Sequence, residues 1–174
     1  MMPHPAYVQV YTGNGKGKTT AAFGLALRAS GHGIACYVGQ FMKGRVYGEA
    51  VALRGHSRIT VEQYGDDRCV GKQDVRDEDR RRARDGLRRV EAAIRSGRYG
   101  LVVLDEVNVA VSYGLLDVRE LMRLLSRRPP GVELVLTGRY APEEAIEAAD
   151  LVTEFREIKH YYTRGVAARD GIER

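Results

Sequence analysis

The 174-residue sequence contains no tryptophan, five prolines and two cysteines, and these shortages exclude several classes of protein. Cys36 and Cys69 are isolated thiols without CxxC spacing, so the sequence predicts neither a disulfide framework nor a cysteine zinc site. No apolar run approaches the ~20 residues that a helix needs to cross a bilayer. The first residues lack the basic-then-apolar order of a signal peptide. We therefore expect a cytoplasmic protein of one domain, spanning 1–174, without a membrane partner.

The charge is only mildly one-sided, with 28 Lys and Arg against 23 Asp and Glu, a net charge of +5. The densest basic cluster is Arg80, Arg81, Arg82 and Arg84. Acidic residues surround this cluster, which favours a solvated helix face over a nucleic-acid surface. Compact anions such as polyphosphates suit this charge as well as DNA does, and we expect no nucleic-acid partner.

Short apolar runs alternate with helical patterns along the chain. The runs predict strands at 6–11, 34–41, 59–64, 101–104, 133–136 and 151–155. The helical patterns fall at 19–30, 49–53, 77–98, 118–125 and 142–148. Strands that are apolar on both faces and separated by helices are typical of a parallel sheet covered on both sides. The predicted fold is a three-layer α/β domain with a mostly parallel sheet.

A glycine-rich loop separates the first predicted strand from the first predicted helix. It comprises Thr12, Gly13, Asn14, Gly15, Lys16, Gly17, Lys18, Thr19 and Thr20. From Gly17 onward it matches the P-loop pattern G-x-x-x-x-G-K-[ST], whose first glycine is replaced here by Thr12. The backbone N–H groups of such a loop turn inward around an anion, and the next helix points its N-terminus at the phosphates. We predict a nucleotide site with Lys18 on phosphate oxygens and the Thr19 hydroxyl on Mg²⁺.

Three further residues are candidates for the same site. Asp105 and Glu106 end an apolar strand, and one carboxylate there can hold Mg²⁺ directly or through water. Arg139 follows a turn glycine after another strand and should open toward the same edge of the sheet, either on phosphate or as a surface arginine. Arg28 lies ten residues beyond Lys18 on one helix, about three turns away, so spacing alone makes it a solvated residue.

Five segments together resemble the P-loop type of ATP:corrinoid adenosyltransferase, the CobA/CobO/BtuR family, from about Val8 to Glu173. They are TGNGKGKTTAAFGLALRASGHG, QFMKG with the following Gly48-Glu49, LVVLDEVNVAVSYGLLD, LVLTGRYAPEEAIEAADLVTE and KHYYTRGVAARDGIE. The phosphate loop alone is shared by many folds. The C-terminal segment and the segment with TGR make the resemblance specific to this family.

The resemblance implies a P-loop NTPase-like (RecA-like) fold and transfer of the 5′-deoxyadenosyl group of ATP to the Co(I) centre of a reduced corrinoid, releasing triphosphate. It implies that the loop from Gly13 to Thr20 binds the triphosphate and that Lys18 stabilises the charge of the leaving group. It also implies that Thr19 and Glu106 hold Mg²⁺ (or Mn²⁺) and that Arg28 contacts phosphate. Family members are typically homodimers, and the family suggests a flavin-dependent electron donor.

One region departs from the family. Better-known members carry a Gly-Phe-Thr-Trp stretch before the long helix, whose aromatics help to push off the lower ligand of the corrinoid. The matching region here, 65–71, reads GDDRCVG and has neither aromatic. Tyr64, Cys69 and Val70 are the candidates to line the corrinoid face.

Two other functions use the same loop. A small nucleoside kinase would employ Asp105 and Glu106, but it needs a general base near the acceptor, and the sequence offers no clear one. A nucleic-acid-associated ATPase would employ the arginine-rich helix, and its DNA binding would fall steeply with salt. The adenosyltransferase needs neither a protein nucleophile nor a general base, because the reduced cobalt is itself the nucleophile.

Overall fold

Six parallel strands form one sheet in the computed structural model, which describes residues 5–45, 47–68 and 70–173. The strands are β1 (Val8–Thr12), β2 (Cys36–Gln40), β3 (Ile59–Gln63), β4 (Leu101–Asp105), β5 (Glu133–Thr137) and β6 (Leu151–Glu154). Their order is β3-β2-β4-β5-β1-β6, and every strand pair in the described residues is parallel. The predicted α/β class is confirmed, and the sheet is entirely parallel where a mostly parallel one was predicted.

The helices connect these strands. They are α1 (Lys18–Gly31), α2 (Gly48–Ala52), α3 (Asp77–Arg95), α4 (Val107–Ser112), α5 (Val118–Ser126) and α6 (Glu143–Ala148), with short 3-10 helices at Lys72–Asp74 and Tyr161–Arg164. The sequence did not predict α4 or the 3-10 helices, and α3 ends at Arg95 where the prediction ran to 98. No helix in the described parts of the chain has the length and apolarity to cross a membrane.

Alternating side chains of the buried strands divide the core into two layers. In β4, Leu101 and Val103 face one way and Val102 and Leu104 the other, and all are almost fully buried. The first layer packs under α1, mainly through Ala22, Phe23 and Ala26. The second packs under α3, α4, α5 and α6. This is the three-layer arrangement that strands apolar on both faces require.

The strand order sets the geometry of the carboxyl edge, where the candidate site lies. β5 runs between β1, which leads into the glycine loop, and β4, which ends in Asp105. Side chains at the end of β5 can therefore bridge the glycine loop and the acidic strand end. In doubly wound sheets, ligands bind at this edge.

Candidate active site

The glycine loop turns the chain from the end of β1 into α1. Gly13 has φ 91° and Gly17 has φ 117°, a left-handed backbone that residues with a side chain rarely adopt. Gly17 directly precedes Lys18, the first residue of α1. The loop thus delivers Lys18 and Thr19 at the N-terminus of a 14-residue helix, where the helix dipole favours anions.

A second constraint on the loop comes from the chain that follows β6. The backbone N–H of Gly15 donates to the carbonyl oxygen of Phe155 at 2.6 Å. A Cβ atom on Gly13 would lie 2.5 Å from that oxygen, and one on Gly15 would lie 2.7 Å from it. These glycines are therefore required by the close approach of the 155 segment as well as by any anion in the loop. No local pattern in the sequence predicts this contact, because it joins two distant segments.

Lys18 is almost fully buried inside the loop that it follows. Its ammonium donates to the carbonyl oxygens of Gly13 at 2.7 Å and Gly15 at 2.8 Å. Burial lowers the pKa of Lys18, and the Glu106 carboxylate opposes that shift. The ammonium is thus anchored in the centre of the loop by two neutral acceptors, and it forms no ion pair with any residue that the structure describes.

Asp105 is the hub of a buried hydrogen-bond network at the end of β4. Its Oδ1 accepts from the hydroxyls of Thr19, on α1, at 2.9 Å and of Thr137, on β5, at 2.7 Å. Its Oδ2 accepts from the Gln40 side chain on β2 at 3.0 Å. Four elements therefore meet at one carboxylate, and the Thr19 hydroxyl bonds to Asp105, whereas the resemblance paired Thr19 with Glu106 as metal ligands.

The second oxygen of Asp105 also carries an ion pair that the sequence analysis missed. The Lys43 ammonium lies 2.9 Å from Asp105 Oδ2, 3.4 Å from the Thr19 hydroxyl and 3.5 Å from the Glu49 carboxylate. Burial alone would raise the pKa of Asp105, but Lys43 and the hydrogen bonds from Thr137 and Gln40 outweigh it and lower that pKa. Burial alone would lower the pKa of Lys43, but Asp105 and Glu49 outweigh it and raise that pKa. Both groups are therefore charged at neutral pH.

Glu106 stands next to this network with its carboxylate uncommitted. Its backbone has φ 61°, and its N–H donates to the Thr137 hydroxyl at 2.9 Å. Within the described residues no hydrogen bond to its carboxylate is formed. Burial, together with the charge of Asp105, raises the pKa of Glu106, while Lys43, Lys18 and Arg139 counteract the shift. The left-handed turn separates β4 from α4 and directs the two carboxylates of the strand end differently.

These side chains fit a divalent cation. Thr19 and Asp105 present hydroxyl and carboxylate oxygens to one point, and the Lys43 ammonium shows that a cation is stable there. Oxygen donors of this kind suit Mg²⁺, which is commonly held by one or two protein groups and the phosphates of its substrate. No group of three or more His, Cys, Asp or Glu side chains in the described parts of the chain forms a metal cage. The donor set therefore suits a metal that arrives with a nucleotide.

The other predicted residues of the glycine loop have exposed side chains. Asn14 and Thr20 are exposed on the loop and on the first turn of α1. Lys16 is also exposed, and its ammonium donates to the Ile172 carbonyl oxygen at 2.9 Å and lies 3.7 Å from the Glu173 carboxylate. It therefore ties the loop to the C-terminal segment.

Arg139 and Arg28, the two arginines predicted near the phosphates, lie at different distances from the glycine loop. Arg139 is exposed, and its charge acts on both Lys18 and Glu106, which puts it at the predicted edge. Arg28 is exposed in the last turn of α1, ten residues and so about 15 Å along the helix from Lys18. Within this chain the structure does not bring Arg28 to the glycine loop.

The candidates for the corrinoid face need correction. Tyr64 is only 9% exposed: its ring packs edge-on against Phe41 at 5.4 Å between centroids, and its hydroxyl contacts that of Tyr37. The ring fits because Gly39 and Gly86 carry no Cβ. Tyr64 is therefore a core residue and lines no open face. Val70 is likewise 9% exposed, and Cys69 lies outside the described residues.

Comparison with known proteins shows the family of the chain. The sequence profile of the family described as ATP:corrinoid adenosyltransferase BtuR/CobO/CobP matches residues 4–174. A corrinoid adenosyltransferase from a Sinorhizobium species is 40% identical over 168 residues, covering 94% of this chain and 78% of that protein. Those of Pseudomonas aeruginosa and Escherichia coli K12 are each 37% identical over 166 residues, covering 94% of this chain and 81% and 83% of those proteins. The resemblance read from the five segments is confirmed.

Proposed function

The chain belongs to the ATP:corrinoid adenosyltransferase BtuR/CobO/CobP family, and we propose that it transfers the 5′-deoxyadenosyl group of ATP to a reduced corrinoid through the site described above. The observation that carries the proposal is the meeting of the glycine loop, Thr19 and the β4 acids at one edge of the sheet. In this reaction the Co(I) centre of the substrate supplies an electron pair to C5′. A cobalt–carbon bond forms, the C5′–oxygen bond breaks, and its electron pair leaves with triphosphate.

The chain's own contribution is to bind and orient the triphosphate. The inward-facing loop from Gly13 to Thr20 surrounds phosphate oxygens with backbone N–H groups. The Lys18 ammonium, held at the loop centre by carbonyl oxygens, turns to the charge that develops on the leaving group. Arg139, exposed at the same edge, adds positive charge. Fixing the triphosphate in this way holds C5′ in line with the attacking atom, which is the main source of acceleration in a displacement of this kind.

Thr19, Asp105 and Glu106 are the residues that would hold Mg²⁺ or Mn²⁺. Held by these residues, such an ion would supply charge neutralisation to the triphosphate. Asp105 fixes the positions of the Thr19 and Thr137 hydroxyls, because both donate to its Oδ1. Glu106, whose carboxylate accepts no hydrogen bond from the described residues, has an oxygen available for a ligand or for a bound water.

No protein nucleophile and no general base is needed, because the attacking atom belongs to the substrate and carries no proton at neutral pH. A phosphoryl-transfer enzyme would need a base beside its acceptor. Asp105 is already committed to Thr19, Thr137 and Lys43, and the uncommitted Glu106 is assigned here to the divalent cation. This commitment favours the adenosyl transfer over the kinase.

Several finer points belong to the same proposal. We infer that residues 1–174 act as one adenosyltransferase domain in the cytoplasm, as a homodimer supplied with electrons by a flavin-dependent donor. In this homodimer, Arg28 contacts phosphate, which it does not reach within a single chain. These inferences rest on the resemblance to the family.

An anaerobic reaction tests the proposal. The protein is mixed with Mg-ATP and chemically reduced cobalamin, and the visible spectrum and the phosphate products are followed. We expect a light-sensitive alkyl-cobalt spectrum and one triphosphate for each corrinoid converted. Release of ADP and phosphate without a cobalt–carbon product would overturn it. The exposed Arg95, in the last turn of α3, supplies a control variant, Arg95→Met, whose rate should equal that of the unmodified chain.

A further inference from the structure

Lys43 places a positive charge where the phosphate loop meets the acidic strand end. It follows β2 by three residues and reaches across to β4 and α1. Its side chain is 15% exposed, and Asp105, its closest partner, is fully buried. A buried carboxylate without a counter-charge is costly, so this ammonium makes the negative charge of Asp105 tolerable in the folded protein.

The oxygens around Lys43 are those that suit a divalent cation. The ammonium contacts Asp105 Oδ2 at 2.9 Å and Thr19 Oγ1 at 3.4 Å. A Mg²⁺ ion bound to the same oxygens would lie about 2.0–2.1 Å from each. The two cations would then stand within a few ångströms of each other in a poorly solvated site, where they repel strongly. Lys43 and a divalent cation therefore compete for one position.

The structure also offers Lys43 a second resting place. The Glu49 carboxylate, near the start of α2, lies 3.5 Å from the ammonium, and the Tyr47 ring centroid lies 5.1 Å from it. Both groups stabilise a cation, one by ion pairing and one through its ring face. A small rotation of the lysine stem toward them releases Asp105 and Thr19 without leaving the ammonium unpaired.

We propose that Lys43 is an exchangeable counter-cation: its ammonium neutralises Asp105 in the free protein and moves to Glu49 when a divalent cation binds with the nucleotide. Lys43 is in this sense a positioning residue, because it acts on metal binding through Asp105 and Thr19. The exchange delays metal binding until the phosphates of the nucleotide contribute their own charge. The proposal rests on the proposed function only for the nature of the nucleotide.

A metal titration without nucleotide or corrinoid tests the competition directly. Free Mn²⁺ is measured by electron paramagnetic resonance in the presence of the unmodified chain, Lys43→Met and the surface control Lys72→Met. Because the competing charge is removed, Lys43→Met should bind Mn²⁺ about tenfold more tightly, or better, than the other two. Equal or weaker binding by Lys43→Met would overturn the proposal. Since the assay contains neither substrate, its failure is distinct from a failure of adenosyl transfer.

A measurement on the unmodified chain keeps the test decisive if Lys43→Met does not fold. The chain has five lysines, so ¹³C at lysine Cε gives a simple spectrum. Lys43→Arg, which preserves the positive charge, identifies the Lys43 resonance. That resonance should shift when Mg²⁺ and ATP are added together, while Lys72 and Lys159 stay unchanged. A Lys43 resonance that does not move while other lysines report nucleotide binding would contradict the exchange.

Discussion

The glycine-loop network and the segment that follows β3 both lie at the carboxyl edge of the sheet, but they are held by different forces. Asp105, Thr19 and Thr137 form a buried network of short hydrogen bonds and one ion pair, to Lys43. The segment 65–76, described except for residue 69, is held by arginine–carboxylate contacts such as Arg82 with Asp66 at 2.8 Å. The first region is held inside the sheet, and the second mostly by partly exposed ion pairs, with one buried contact between Arg68 and Asp79.

This difference suggests a division of tasks. Buried hydrogen bonds in a poorly solvated site are insensitive to salt and fix atoms closely, as the alignment of a triphosphate requires. Partly exposed ion pairs are weaker and are screened by salt. The 65–76 segment, where the resemblance led us to expect the corrinoid, is thus the more salt-sensitive part of this edge. The two regions touch where the Gly65 N–H donates to the Lys43 carbonyl oxygen at 2.9 Å.

The largest effect is expected from Lys18→Ala. The variant removes the ammonium that the loop carbonyls of Gly13 and Gly15 hold at the phosphate position. We expect kcat/KM for ATP to fall by about 10²–10³, as for loss of one preorganised charge-stabilising group. Steady-state kinetics measure it, with Arg95→Ala as the control for loss of an exposed positive charge. A decrease below tenfold would mean that the loop does not bind the leaving group.

A smaller effect is expected from alanine at the loop glycines. In Gly15→Ala, the new Cβ would lie 2.7 Å from the Phe155 carbonyl oxygen, which is backbone and cannot easily move. We expect a loss of about 1–3 kcal/mol in the free energy of unfolding and weaker ATP binding. Gly24→Ala is the matched control, because Gly24 lies within α1 with nothing within 4 Å of its would-be Cβ.

Gly24→Ala should instead gain about 0.5–1 kcal/mol, since alanine favours the helix. Urea denaturation of the two variants measures both changes. If Gly15→Ala is as stable as Gly24→Ala, the contact between the loop and the 155 segment does not hold the loop.

A smaller loss in the free energy of unfolding is expected for a substitution in the segment after β3. Arg68 contacts the buried Asp79 carboxylate and donates to the Asp74 carbonyl oxygen at 3.1 Å. Arg68→Ala should cost about 1–2 kcal/mol, because Asp79 loses a charged partner while keeping the Arg76 N–H at 2.8 Å.

Arg81→Ala is its control, since Arg81 pairs with Glu78 on the exposed face of α3. We expect a loss within about 0.5 kcal/mol that disappears in 1 M NaCl, whereas the loss in Arg68→Ala persists. Denaturation at low and high salt separates the two variants, and identical salt responses would remove the distinction between them.

The smallest effect concerns pH and Asp66. A hydrogen bond from the Arg68 N–H, helped by the charges of Arg82 and Arg68, lowers the pKa of Asp66 below its ordinary value of 3.8. A lowered carboxyl pKa stabilises the fold above that ordinary value, and the stabilisation is lost as the pH falls further through the lowered pKa. Asp66→Asn should therefore be slightly less stable than the unmodified chain at pH 7 and at pH 5. The difference should shrink below pH 3.8, and a difference that grows there would contradict the sign.

The fold was largely predictable from sequence because its signals are local. Runs such as 101–104 are apolar on both faces, so they could only be central strands of a covered sheet. The loop from Gly13 to Thr20 was predictable for the same reason, since a phosphate loop is read from consecutive residues. The short helix α4 was missed because Glu106, in a left-handed turn, interrupts the pattern before it.

The rest of the site depends on where distant segments meet. Lys43 became part of it only because the chain after β2 folds over the end of β4, 62 residues away. Tyr64 was a candidate to line the corrinoid face, yet its ring fills space left by Gly39 and Gly86 on two other elements. A glycine at position 86 on the apolar side of a long helix was the one signal in the sequence that a large ring packs there.

One labelled turnover tests the central claim most directly. ATP carrying ¹³C at C5′ is mixed anaerobically with the protein, a divalent cation and one equivalent of reduced corrinoid, and the labelled carbon is followed by NMR. The account predicts that the label becomes bonded to cobalt while the three phosphates leave as one intact triphosphate. A label that remains in ADP or AMP, with phosphate or pyrophosphate released, would show that the glycine loop serves phosphoryl chemistry and would contradict the account.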